Sequence, residues 1–167
     1  LSSLFLRIIQ LTIVVIKNKS ILAQFTLKFK SILIKKHRAT SMQTPQSLLF
    51  SPQHLWVKST ADGLWEAGIT DYAQNLLGDI VFVEAPTIGT RLTAEQPCGL
   101  VESVKTGSDL HALINGEVVE VNQSAIDSPE QINDKPYNTW IFKFKADNDK
   151  DAEQLLSAEA YETLINS

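Results

Sequence analysis

The amino-acid sequence predicts one mostly β domain, and three observations carry that expectation. After Met42 the apolar residues come in many short runs rather than in long helical stripes. The runs are cut by Gly, Pro, Asn and Asp, residues that close turns and interrupt helices. With 44% hydrophobic and 20% charged residues, the chain has the apolar material for one packed core and is not disordered by composition.

In chain order, strands are expected at residues 55–59, 64–68, 79–84, 91–93, 98–104, 109–113, 116–121 and 139–145. Ala61-Asp62-Gly63 and Asn115-Gly116 hold residues that tolerate positive φ and are the expected tight turns. Thr70-Asp71 opens a short helix to Leu77, with Thr70 as N-cap, an acid in the first turn and Gly78 as the stop. Ser128-Pro129-Glu130-Gln131 is a second helix start, because Ser can cap, Pro suits the first turn and Gln131 stands where a capping box needs it. A C-terminal helix is expected from Asp151, since Asp151 to Gln154 repeats that spacing. Leu155, Leu156, Tyr161, Leu164 and Ile165 then form an apolar stripe against a sheet. Leu76, Leu77, Val81 and Phe82 are expected in the core.

Charge divides the chain in two. Residues 1–41 hold eight basic residues and no acid, whereas residues 42–167 hold seven basic residues against nineteen acids, a net of −12. So acidic a body excludes a nucleic-acid binder built on a basic face. A single cysteine, Cys98, excludes an internal disulfide. No apolar run reaches the roughly 18–20 residues of a membrane helix, and the nearest, 4–16, is interrupted by Arg7 and Gln10.

The basic N-terminal extension, 1–41, is expected to be disordered or not native. It fits a mitochondrial transit peptide in being basic, Ser-containing and free of acids, although six of its eight basic residues are Lys where such peptides favour Arg. An interfacial helix fits less well, because the apolar residues of 12–16 do not keep to one face. The composition changes at Met42, the only methionine, which is where translation is expected to start.

The chain carries few signals of catalytic chemistry. His54 and His111 are far apart, Cys98 has no local motif, and there is no metal-ligand spacing, phosphate-cradling loop or nucleophile elbow. No enzyme is indicated. His54 beside Trp56 reads as a half-buried structural residue, and Cys98 as a buried thiol. Lys105 stands apart. An apolar run rises to Val104, the polar turn Lys105-Thr106-Gly107-Ser108 follows, and a second run descends, which places Lys105 at a hairpin tip. It is the only basic residue between Arg91 and Lys135. Two readings of it are open: a solvated lysine, or the attachment point of an acyl group in amide linkage, which would lose the charge and gain a long arm on a rigid scaffold.

Four runs occur in order: Gly68-Ile69-Thr70-Asp71-Tyr72-Ala73-Gln74, Leu77-Gly78-Asp79-Ile80-Val81-Phe82-Val83-Glu84, Val101-Glu102-Ser103-Val104-Lys105 with Ser108-Asp109, and Gly116-Glu117-Val118-Val119-Glu120-Val121-Asn122. With them, the chain from about Leu49 to Ile165 resembles the H proteins of the glycine cleavage system. The resemblance implies a lipoyl-domain-like barrel-sandwich hybrid with short helices, including a C-terminal one, over a carrier domain of residues 42–167. It implies a non-catalytic carrier, with Lys105 bearing lipoic acid as N6-lipoyllysine. The arm takes an aminomethyl group from glycine decarboxylase (P protein), presents it to aminomethyltransferase (T protein) and is reoxidised by dihydrolipoamide dehydrogenase (L protein); the chemistry is the cofactor's and the partners'.

By the same resemblance, Glu102 and Gly116 match positions used for recognition by the lipoate-attaching enzyme, and Asp109 matches a position where a carboxylate attracts the loaded amine. Each also has a plain reading, as a strand carboxylate, a turn glycine and a turn-end acid. The chain departs from the pattern at Leu55, where the family has an acid in His-Glu-Trp, and at Pro136-Tyr137-Asn138-Thr139-Trp140, one residue shorter than the usual loop and without its glycines. The first departure puts protection of the loaded arm in doubt. Two rivals share the residues: a lipoyl donor in a relay to 2-oxoacid dehydrogenases, and a β-rich binding module in which Lys105 is never modified. A biotin carrier is disfavoured, because Val104 and Thr106 stand where those domains flank the lysine with methionine. A monomer in the bacterial cytoplasm is expected, with the mitochondrial matrix as the alternative address.

Overall fold

The computed structural model describes residues 44–167; the expectations for residues 1–41 and for a start at Met42 lie outside the described residues. Among the described residues nine strands form two antiparallel sheets. These are β1 (Leu49–Phe50), β2 (Leu55–Ser59), β3 (Trp65–Ile69), β4 (Ile80–Glu84), β5 (Arg91–Leu92), β6 (Pro97–Ser103), β7 (Gly107–His111), β8 (Gly116–Val121) and β9 (Phe142–Ala146). The larger sheet runs β1-β2-β3-β9-β8-β5 and the smaller β4-β6-β7. Among the described residues four α-helices, α1 (Asp71–Leu77), α2 (Gln123–Asp127), α3 (Glu130–Asp134) and α4 (Ala158–Ile165), and a 3-10 turn at Asp149–Gln154 join or flank them.

Alternation builds the core. On β9, Phe142 and Phe144 are fully buried while Lys145 is exposed, because successive strand residues point to opposite faces. These two rings meet Val57 and Ala67 of their own sheet and Val83, Val101 and Leu110 of the other in one apolar cluster. Burying each of the Val, Leu and Phe side chains contributes about 1.5–3 kcal/mol. On β2 the alternation is suspended: Leu55, Trp56 and Val57 are all buried. Leu55 and Val57 face the shared core, whereas Trp56 packs on the other side with Phe50, Ala158 and Tyr161. The C-terminal helix covers that second face, so the strand is apolar on both.

The first helix follows the sequence closely. The Thr70 side chain accepts from the Ala73 amide at 3.2 Å, and Gly78 ends the helix at φ +88°, a value that favours glycine. Gly63 likewise has φ +77° in its turn.

Elsewhere the structure corrects the expectation. Gly116 has no positive φ; it is the first residue of β8, inserted between Leu92 and Ala146. A Cβ there would lie 2.5 Å from the Lys145 carbonyl oxygen, so crowding between strands, not a turn, calls for glycine. The helix near Ser128 starts after Pro129 without a side-chain cap, and Gln131 bonds back to Ser124 instead. The C-terminal helix does not start at Asp151. Residues 149–154 form the 3-10 turn capped by Asn148, Leu156 leaves it to pair with Phe50, and α4 begins after its own cap, Ser157. Leu164 faces solvent. The short elements β1 and α2 were not expected.

Leu76, Val81 and Phe82 are not core residues; they are 62%, 54% and 46% exposed, and of that group only Leu77 is buried. A bulge between Ile80 and Phe82 accounts for two of them. The irregularity turns Val81 outward and sets Phe82 opposite Glu102, on the outer face of the small sheet.

Candidate functional site

Strands β6 and β7 form a hairpin whose last ladder pair is Glu102 with Gly107. Lys105 is at its tip, exposed to solvent. The turn is closed by one side chain, Ser103, itself nearly buried at 8% exposure. Its Oγ accepts from the amides of Lys105 and Thr106, both at 3.1 Å, and donates to the Thr106 carbonyl, while its own amide bonds the same carbonyl at 2.8 Å. The tip is also tied sideways: the Val104 amide donates to the Asp79 carbonyl at 3.2 Å, from the connection between α1 and β4. The Val104 side chain is 76% exposed. The end of the Lys105 side chain lies over Gly78, with Nζ 3.4 Å from where a Cβ would stand. Among the described residues Lys105 forms no ion pair; the paired bases are Arg91, with Glu117 and Asp147, and Lys143, with Glu66 and Glu120.

The outer face of the small sheet extends from this tip. Strand register places Phe82, Glu102 and Gly107 in one row and Glu84, Leu100 and Asp109 in another. Glu102 and Asp109 therefore share a face with each other and stand on the strands that carry Lys105. Gly116 does not join them. It lies in the other sheet, beyond the end of the hairpin away from the lysine, where Pro97 pairs with His111. Leu55, where the resemblance implies an acid, is 1% exposed and lies in the shared core. The loop 136–140 is held by the Trp56 indole, which donates to the carbonyls of both Ile69 and Pro136, at 3.0 and 3.1 Å.

The other reactive side chains have structural surroundings. Burial pushes the Cys98 thiol up to about 11, which leaves almost no thiolate near neutral pH. His54 sits between the Tyr72 ring and the Tyr161 hydroxyl, 2.9 Å from its Nδ1, and burial lowers its pKa. Among the described residues no three His, Cys, Asp or Glu side chains are grouped to hold a metal. A cleft of about 400 Å³ between Pro52, Glu95, Asn115 and Asp151 contains no residue of the Lys105 turn.

One residue of this site carried no signal in the sequence. Asn133 of α3 bonds both sides of the Gly78–Ile80 connection beneath Lys105. A single asparagine in a polar helical stretch has no local pattern that would single it out.

The family model for the glycine cleavage H-protein matches residues 48–167. The chain is 55% identical over 124 residues to the glycine cleavage system H protein of Methylobacillus flagellatus, covering 74% of this chain and 99% of that one. It is 48% identical over 122 residues to the H protein of Escherichia coli, covering 72% and 95%. The crystal structure of the H protein from Mycobacterium marinum superposes with a TM-score of 0.68 at 36% identity, covering 74% of this chain and 99% of that chain. A family match over 48–167, relatives that align over nearly their whole length and a solved structure of the same architecture agree: this chain belongs to the glycine cleavage H-protein family.

Proposed function

We propose that the chain is the lipoyl carrier of a glycine cleavage system and that Lys105 is the residue lipoylated. The observation that carries the reading is the geometry of the tip. Lys105 is exposed, takes part in no ion pair among the described residues, and projects from a turn closed by three hydrogen bonds of the Ser103 hydroxyl. An amine so placed is open to acylation, and the turn beneath it does not have to unfold. The lipoyl group, once bound, supplies a dithiolane that can be reduced and can accept an aminomethyl group. The protein supplies a rigid base and a tether, which raises the effective concentration of the arm at each partner's site. Glu102 and Asp109, exposed on the same face, are the proposed contacts for the lipoate-attaching enzyme and for the loaded amine respectively. Gly116 is proposed to act in recognition only indirectly, by allowing the two sheets their packing.

The partners are then glycine decarboxylase, aminomethyltransferase and dihydrolipoamide dehydrogenase. A monomer in the cytoplasm that meets each of them weakly completes the reading. Reconstitution tests it. The lipoylated protein with the three partner enzymes is expected to support glycine–bicarbonate exchange, and Lys105→Arg to abolish both the exchange and the lipoyl mass increment. An increment that survives Lys105→Arg, or a fully lipoylated protein that supports no exchange, would sink the proposal.

A further inference from the structure

The Lys105 tip rests on one peptide group, and that peptide is held from the other side by Asn133. The Asp79 carbonyl accepts the Val104 amide at 3.2 Å. The amide in the same peptide unit, that of Ile80, donates to Asn133 Oδ1 at 2.9 Å. Because a peptide is planar and its C=O and N–H point in opposite directions when trans, the Asp79–Ile80 unit is clamped between Val104 and Asn133. Asn133 Nδ2 fixes the preceding unit too, donating to the Gly78 carbonyl at 2.8 Å and to Gln74 Oε1 at 2.8 Å. Both donors of the amide and its oxygen are thus engaged. The clamp acts where the chain has most freedom, next to Gly78 at φ +88° and ψ −150°, and Gly78 is the residue over which the Lys105 side chain lies.

We propose that Asn133 is a positioning residue for Lys105. By fixing the two peptides on either side of Asp79, it holds the hairpin tip at one height and angle, so that the modifying enzyme and the partner enzymes meet the lysine in one orientation. The inference rests on the reading of Lys105 as the acylated residue. It makes a side chain 28 residues downstream, on a different element, part of the machinery that presents the arm.

The test uses the full chain in its unlipoylated form, with lipoate, ATP and a lipoate–protein ligase. Wild type, Asn133→Ala, Asn133→Asp and Ile132→Val are compared; the last thins the buried face of the same helix without touching the clamp. In Asn133→Ala the Val104 amide is expected to exchange with solvent about tenfold faster under native conditions. The amides of Val118 and Ile141, which bond carbonyls of Thr90 and Ala67, should shift no more than in Ile132→Val. The ligase KM for the protein should rise about three- to tenfold with kcat near wild type, as for loss of uniform binding. Asn133→Asp, which keeps an acceptor for Ile80, should fall between, and it serves alone if Asn133→Ala does not fold. Val104, Val118 and Ile141 accelerating together, or an unchanged KM with Val104 accelerated, would overturn the proposal. Should the wild type take no lipoyl group at Lys105, the functional reading fails instead, and the exchange comparison still decides whether Asn133 holds the tip.

Discussion

The hydroxyl of Ser103 accepts the backbone amide of Lys105 at 3.1 Å, and the same oxygen takes the Thr106 amide and donates to the Thr106 carbonyl. Two residues before the candidate attachment site, one side chain thus replaces the ladder bonds that the hairpin loses at its tip. Ser103→Ala is expected to cost about 1 kcal/mol, the net worth of a hydrogen bond whose amides can turn to water. The loss should appear as a lower urea midpoint at unchanged m value. NMR order parameters of residues 104–106 should fall below those of wild type, and Ser103→Thr should restore them. An Ala variant with an equally rigid turn would show that the hydroxyl is not what closes it.

Gly116→Ala separates packing from recognition. The added Cβ meets the Lys145 carbonyl oxygen at 2.5 Å, backbone that cannot simply rotate away. Overpacking of this kind costs about 1–3 kcal/mol. Chemical denaturation should show that loss, while the fraction still folded should be lipoylated at the wild-type rate. A stable variant that is poorly lipoylated would assign Gly116 to the ligase contact directly.

His54 should make stability fall in mild acid. Burial lowers its pKa from the ordinary 6.5, so the unfolded chain takes up the proton first as pH drops. The neutral ring's contribution is therefore complete above the unfolded value and is lost as pH falls through 6.5 toward the lower folded value. Thermal melts of wild type and His54→Gln between about pH 7.5 and about pH 5 should converge at the acid end. Parallel melting curves across that range would remove His54 as the cause.

The acidic body should make partner binding salt-sensitive. With seven basic residues against nineteen acids in residues 42–167, docking faces of partner enzymes are expected to be relatively basic. The Kd for glycine decarboxylase should rise severalfold as ionic strength goes from about 0.05 to about 0.3 M, where screening shortens to a few ångströms. Calorimetry showing one affinity across that range would contradict the expectation.

Much of this molecule is local and therefore readable from its sequence. Strand alternation on β8 and β9, the Thr70 cap with its Gly78 stop, and the apolar run, polar turn and apolar run that lift Lys105 depend on neighbours within a few residues. The two-residue β1 and five-residue α2 are too short for periodicity to register. The 3-10 turn followed by a second cap at Ser157 was hidden because Leu155 and Leu156 look like the start of a helical stripe, yet Leu156 is used to pair with Phe50.

Local pattern and motif were enough for the β class, for the position of Lys105 at a hairpin tip and for the membership that the motifs announce. Tertiary structure alone decided what surrounds that tip. It turned Val81 and Phe82 outward through a bulge, buried Leu55 in the shared core, explained Gly116 by a carbonyl 29 residues away and brought Asn133 beneath the Asp79–Ile80 peptide. The physical reason is the same in each case. Propensity and periodicity report how a residue treats its near neighbours, whereas crowding, burial on a second face and side-chain bonds to a distant backbone exist only once the sheets have packed.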